Sequence, residues 1–201
     1  MAEPVKIEGI KKKIIIGTKV TLVPFTNNHL HNPHYLAWLK DYETIKHLNL
    51  PRYLEKVSFE EVKAYVNDIN SSVNNLFFAI ETLSNNQFIG TFKIGPIDWY
   101  AQNANLGILI GDRSYWGKGI ASDIFSAAIR FCFEELKMHK IVGGCMGPNV
   151  GMKRVFEKLG FKQEGCFHEH DFLEGKYYNH LYYGLLRTEY EQQETIKREK
   201  S

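Results

Sequence analysis

The chain has 201 residues, 44% of them hydrophobic, and a formal net charge of +2. That length suits one domain with a substantial core. No apolar run approaches the ~20 residues of a membrane span. A near-neutral balance is no argument for nucleic acid, and Lys11-Lys12-Lys13 and Lys197-Arg198 read as solvated ends.

In chain order, Val20–Pro24 reads as a first strand. A helix is expected over 32–42 and a second over 58–70. In the second, Phe59, Val62, Val66 and Ile69 recur at helical spacing, and Ser58 with Glu61 forms a capping box. Leu76–Glu81 and Phe88–Ile97 read as strands around the polar turn Ser84–Gln87, followed by a strand over Asn105–Gly111. A helix over 118–136 carries an apolar stripe of Ile120, Ile124, Ala127, Ala128 and Phe131. Then come a strand at His139–Cys145 and a short helix marked by Met152, Val155, Phe156 and Leu159, which Gly160 stops. Residues 162–172 and 177–186 pattern as a hairpin around Glu174-Gly175, and beyond Arg187 the chain is a polar helix. Met1–Gly17 carries no signal-peptide core, because Ile14-Ile15-Ile16 is too short. The division expected is an N-terminal extension over 1–16, one α/β domain over 17–190 and a polar tail over 191–201. Cys132, Cys145 and Cys166 match no zinc spacing, so no metal is expected, and reduced thiols suit a cytoplasmic protein.

The most informative stretch is Trp116-Gly117-Lys118-Gly119-Ile120-Ala121, a glycine-rich turn between a strand and a helix. Such a turn exposes several N–H groups at the positive end of a helix dipole and suits a phosphate or pyrophosphate. It is not a Walker loop, since Gly119 follows Lys118. It is not a dinucleotide fingerprint either, since Ser122 stands where the third glycine would be. Some thirty residues on lie Asn149 and Phe156-Glu157-Lys158-Leu159-Gly160-Phe161.

This order of motifs resembles the GNAT superfamily of acyl-CoA N-acyltransferases, and within it the RimJ/RimL-like branch, from about Gly17 to about Tyr190. The resemblance implies a single mixed, mostly antiparallel sheet of six or seven strands flanked by helices. Its fourth and fifth strands, here Asn105–Gly111 and His139–Cys145, would splay into a slot. It implies acetyl-CoA as donor, with coenzyme A as product. The backbone of Ile108, Leu109 and Ile110 would pair with the pantetheine amides. Trp116, Gly117, Lys118, Gly119, Ile120 and Ala121 would form the pyrophosphate turn, with Asn149 and Phe156 against the coenzyme. An oxyanion donor is expected near Leu109.

The chain departs from the family at several positions. Trp116 stands where Arg or Gln is common, and Met152 where serine is. Phe156 replaces a tyrosine general acid, and Asn105 replaces a glutamate base. Two substitutes for the base are expected. Asp98 lies just before the fourth strand, at the mouth of the slot, and His170 lies on the sixth strand, where Cys166, His168, His170 and Phe172 would share one face. Trp99, Tyr100, His168 and Tyr177 are expected to bind the acceptor. The resemblance implies N-acetylation of a small primary amine, first of all a nucleotide-linked amino sugar. Protein Nα-acetylation, polyamine acetylation and a non-catalytic coenzyme A-binding module are the alternatives. Expected partners are acetyl-CoA and the amine, without nucleic acid or membrane, in a monomer or homodimer.

Overall fold

The computed structural model describes residues 7–48 and 57–199. The chain runs α1 (Ile7–Lys11), β1 (Ile15–Ile16), β2 (Val20–Pro24), α2 (Asn27–Leu30), α3 (Pro33–Lys40), α4 (Tyr42–Ile45), α5 (Phe59–Ser71), β3 (Leu76–Thr82), β4 (Phe88–Asp98) and β5 (Asn103–Ile110). It continues through α6 (Ile120–Glu134), β6 (Lys140–Met146), α7 (Val150–Lys158), β7 (Lys162–Leu173), β8 (Lys176–Leu186) and α8 (Arg187–Glu199). All eight strands join one sheet in the order β1-β2-β3-β4-β5-β6-β8-β7. Neighbours are antiparallel except β5 and β6, which run parallel. The expected six or seven strands become eight because Ile15–Ile16 adds a two-residue strand, too short to show alternation.

Both faces of the sheet are covered. One carries α6 and α7, whose Ile124, Phe125, Ala128 and Phe156 meet Phe78, Phe92, Leu106 and Ile141. The other carries Leu30, Tyr35, Val62, Val66 and Ile69 of α2, α3 and α5 over Phe77, Ala79 and Phe88. Successive residues of β3 therefore serve opposite cores, as a period of two requires.

Local chemistry sets the helix ends. Ser58 and Glu61 form the capping box of α5. Asn32 caps α3 through the His34 N–H at 3.0 Å. The expected single helix over 32–42 stops at Lys40, because Asp41 is extended and caps the separate α4. At the end of α7, Phe161 N–H donates to Phe156 O and Gly160 N–H to Glu157 O, with Gly160 at φ 81°. This is a complete Schellman closure, and its hydrophobic contact is Phe156 with Phe161, 5.2 Å between rings.

Ile7, Ile10 and Ile15, within the expected extension, pack on the main core. Tyr190, near the start of α8, stacks on Phe133 at 5.0 Å. No helix among the described residues is long and apolar enough to cross a membrane.

Candidate active site

β5 and β6 pair at only three positions, Asn103–Lys140, Ala104–Ile141 and Asn105–Val142. Beyond them Leu106–Ile110 and Gly143–Met146 have no ladder between them, so the sheet opens into a slot. On the other flank β5 stays in register with β4 from Leu106 to Ile110. Gly111 N–H donates to Ile89 O. By alternation Leu109 and Gly107 also turn their backbone groups to β4, while Ile108 and Ile110 turn theirs to the slot. The edge expected from Ile108, Leu109 and Ile110 is thus offered by Ile108 and Ile110. Part of Ile110 is already taken, since Trp116 Nε1–H donates to its carbonyl at 2.8 Å. That bond also gives the half-exposed Trp116 a role: it staples the glycine turn to the end of β5.

The turn itself is ready for an anion. Gly117 and Gly119 have φ of 72° and 78°, values at which a Cβ is strained. They swing the chain into α6 so that the N–H groups from Gly117 to Ser122 take no acceptor among the described residues. Lys118 is exposed, its ammonium over the Tyr115 ring at 5.4 Å. Lys19 donates to Lys118 O at 2.7 Å and brings a second cation that sequence spacing did not reveal, because it comes from the β1–β2 turn. Ile120 and Ala121 open the helix, with Ile120 buried in the core.

On the α7 side, Asn149 Oδ1 accepts the Met152 N–H at 3.1 Å and caps the helix. Phe156 is fully buried among Tyr183, Phe161 and Phe125, and its ring lies directly against Gly143. A Cβ on Gly143 would lie 2.8 Å from that ring. The phenyl group therefore closes the slot from the α6–α7 face.

The opposite face holds a cavity of about 560 Å³. Its walls include Tyr35, Glu61, Tyr65, Thr91, Lys93 and Leu109. Lys93 is half-buried, and desolvation lowers the pKa of its ammonium. It has no anionic partner among the described residues. Glu61 is committed to the α5 cap. Hydrogen bonds from the Ser58 backbone and then its hydroxyl hold its carboxyl below the usual range, outweighing the upward push of desolvation. The hairpin tip reaches this side, since Tyr42 of α4 donates to Glu174 at 3.1 Å.

The expected acceptor residues do not converge. Asp98, Trp99 and Tyr100 lie at the β4–β5 connection, next to the paired, closed end of the slot and not at its mouth. Asp98 Oδ1 accepts the N–H groups of Tyr100 and Ala101 and so stabilises a turn. Trp99 donates to Val73 O, and Tyr100 is 99% exposed. Tyr177 stands at the other end of the sheet, against Phe172 beside the hairpin turn.

The expected alternation along β7 is also broken. A bulge between Phe167 and Asp171, with Glu169 at φ 48°, sets three residues opposite Asn179 alone. His168 stays exposed. His170 is exposed too, but its ring sits 5.4 Å from Phe167 and 5.8 Å from His180 and does not share the face of Cys166 and Phe172. The bulge buries Asp171, whose Oδ2 lies 2.8 Å from His180 Nδ1. The sequence does not show the pairing of these two residues, because register across a two-residue bulge is invisible to a period-two pattern.

Residues 19–162 match the family described as the acetyltransferase (GNAT) domain. The chain belongs to that family. A 116-residue stretch is 34% identical to the probable N-acetyltransferase YjcK of Bacillus subtilis (strain 168). It spans 57% of this chain and 64% of that protein, just under two thirds of the relative's length. The fold superposes on a spermidine N-acetyltransferase of Vibrio cholerae, solved with CoA and spermine. The TM-score is 0.76 over 85% of this chain and 97% of that one, at 23% identity. A RimL ribosomal L7/L12 α-N-protein acetyltransferase in complex with coenzyme A gives a TM-score of 0.75 over 87% and 98%, also at 23% identity. At such identities these two likenesses speak for the GNAT fold alone. Among the described residues no cluster of side chains suits a metal ion.

Proposed function

We propose that this protein is an acetyl-CoA-dependent N-acetyltransferase acting on the primary amine of a small molecule. The observation that carries the reading is the parting of β5 from β6 beside a turn whose N–H groups have no acceptor among the described residues. Bound there, acetyl-CoA would supply an activated acetyl thioester. The slot-facing backbone of Ile108 suits the pantetheine amides as an added strand would. The N–H groups of Gly117 to Ser122, with Lys19 and Lys118 beside them, suit the pyrophosphate. A slot-facing N–H such as that of Ile108, in place of Leu109, is the natural donor to a developing oxyanion. Asn149 begins α7 at the same slot. Phe156 excludes water from its floor and can donate no proton, so a side-chain acid at that position is absent by construction.

The acceptor class follows from Lys93. A half-buried ammonium with no counter-ion among the described residues raises the energy of a polycation placed against it and lowers that of an anion. The cavity therefore suits an amine that carries a phosphate or carboxylate, as a nucleotide-linked amino sugar does, with Tyr35, Tyr65 and Phe77 as apolar and aromatic walls. A polyamine such as the spermine bound by the Vibrio protein fits it less well, and a protein N-terminus remains the second reading. Buried, unbridged Cys132 and Cys145 are in keeping with a reducing, cytoplasmic setting.

The test is thiol release from acetyl-CoA with a UDP-linked amino sugar, spermidine and an alanine-starting peptide, with products identified by mass. The amino sugar is expected to have the highest kcat/KM, and Lys93→Ala to raise its KM about ten-fold, on the order of 1.4 kcal/mol. Preference for spermidine, with Lys93→Ala improving it further, would replace the anionic acceptor by a cationic one.

A further inference from the structure

We propose that His180 is the general base of the acetyl transfer and that Asp171 positions it, an inference that rests on the N-acetyltransferase reading above. The two come from adjacent strands and form a closed pair. The Asp171 side chain is fully buried and that of His180 is 18% exposed, with Nδ1 and Oδ2 2.8 Å apart. A carboxylate only accepts, so the proton between them sits on Nδ1, and the base is the neutral imidazole, whose lone pair is on Nε2. Nε2 makes no hydrogen bond among the described residues.

The position of Nε2 matters more than the pair itself. An added Cβ on Gly144 would lie 2.6 Å from it and 3.3 Å from Cδ2, so the Nε2 edge of the imidazole comes up against that glycine of β6. Gly144 is two residues beyond Val142, where pairing with β5 ends, and therefore borders the slot. Its neighbour Gly143 carries the Phe156 ring on the opposite face. Phe156 and His180 thus bracket the same point of β6, one from the α6–α7 side and the other from the face that carries the cavity. An amine entering from the cavity face meets Nε2 on the side Phe156 leaves open. Two adjacent glycines are what allow both rings to approach.

The fold invests in this pair. The bulge that carries Asp171 inward is pinned by Asn179, whose Oδ1 accepts the Glu169 N–H at 3.0 Å. Asp171 Oδ1 is the one buried side-chain polar atom without a partner among the described residues. A surface hairpin has no structural need of a buried carboxylate, since apolar residues of similar volume stabilise as well. An orphaned buried oxygen beside a histidine facing a slot is the arrangement expected where a water or a substrate donor completes the network.

In the step so assigned, Nε2 takes one proton from the acceptor ammonium. The freed nitrogen lone pair forms the C–N bond to the acetyl carbonyl carbon, and the C–S bond breaks with its electron pair on sulfur. The second amine proton goes to that sulfur, giving the amide and the thiol, and the imidazolium returns its proton to water.

Two measurements test the pair. In the first, thiol release from acetyl-CoA is followed with the UDP-linked amino sugar, spermidine and the alanine-starting peptide. His180→Ala is expected to lower kcat/KM for the acetylated amine at least a hundred-fold, with partial rescue by added imidazole and an unchanged calorimetric Kd for coenzyme A. Asp171→Asn is expected to lower kcat at least ten-fold with the KM for acetyl-CoA unchanged. In the second, long-range ¹H–¹⁵N correlation spectra of the free protein above neutral pH are expected to show the His180 proton on Nδ1, and on both nitrogens in Asp171→Asn. Near-wild-type rates for His180→Ala, or a wild-type proton on Nε2, overturns the dyad while the acetyltransferase reading stands. A wild type that acetylates none of the three amines overturns that reading and the base with it.

Discussion

Gly119 shows how much a single backbone angle decides. At φ 78° it turns the chain so that successive N–H groups point outward, and its own Cβ position is close only to the Lys19 ammonium, at 3.4 Å. Gly119→Asp has room there, and aspartate bears the strain of the left-handed region better than most residues. It places a negative charge where a pyrophosphate would bind. Calorimetry is expected to show coenzyme A affinity lowered ten-fold or more, about 1.4 kcal/mol, with the circular dichroism spectrum retained. Phe156 is the converse case, a residue that acts by shape. Phe156→Leu loses the edge contact with Phe125 and the stack on Tyr183, at a cost of about 1 kcal/mol in thermal or denaturant unfolding. Coenzyme affinity should fall as the floor loosens, while the shape of the pH–rate profile stays as in the wild type. Loss of a titrating limb would instead implicate the ring's surroundings in proton transfer. These residues were legible because glycine spacing and a missing tyrosine hydroxyl are visible one residue at a time. Asp98 was not, since an aspartate capping its own turn and an aspartate facing a substrate look alike in a string of letters.

Between elements, the decisive tie is Asp123, in the first turn of α6. Its carboxylate accepts the N–H groups of Thr18, Lys19 and Val20 and the Thr18 hydroxyl, locking the β1–β2 turn to the start of the helix. The same contact holds Lys19 beside the glycine turn. Burial tends to raise this carboxyl's pKa, but those hydrogen bonds outweigh it and the net shift is downward. A depressed folded-state pKa contributes stability that is present above the unfolded carboxylate value, and that stability is lost as pH falls through the folded one. Melting temperature is therefore expected to drop on acidification below about pH 4. Asp123→Asn should melt lower than wild type at neutral pH and depend less on pH across that acid range. Identical acid profiles for the two proteins would show that Asp123 is not the group responsible. Of the elements joined here, β2 and α6 were anticipated from periodicity, and the two-residue β1 was not. Their tie was not, because Thr18 and Asp123 lie 105 residues apart.

At the level of the whole molecule, the division of labour is between the two faces of one sheet. The slot follows from the family resemblance, and hairpin pairing with the connection through α6 accounts for the order up to β6, whereas β8 rather than β7 lies beside β6. The catalytic pair proposed here depends on a register shift in β7, which no local pattern encodes. That irregularity has a second consequence. β7 is the last strand of the sheet and 12 residues long, with one backbone edge turned to solvent. Strands of that kind recruit copies of themselves or other chains, growing aggregates one ladder at a time. The kink at His168–His170 interrupts the ladder that an incoming strand would need, and Lys162, Glu164 and Glu169 add charge along the rim. The distortion that draws a carboxylate inward to a histidine thus also leaves the outermost strand a poor template for β-addition.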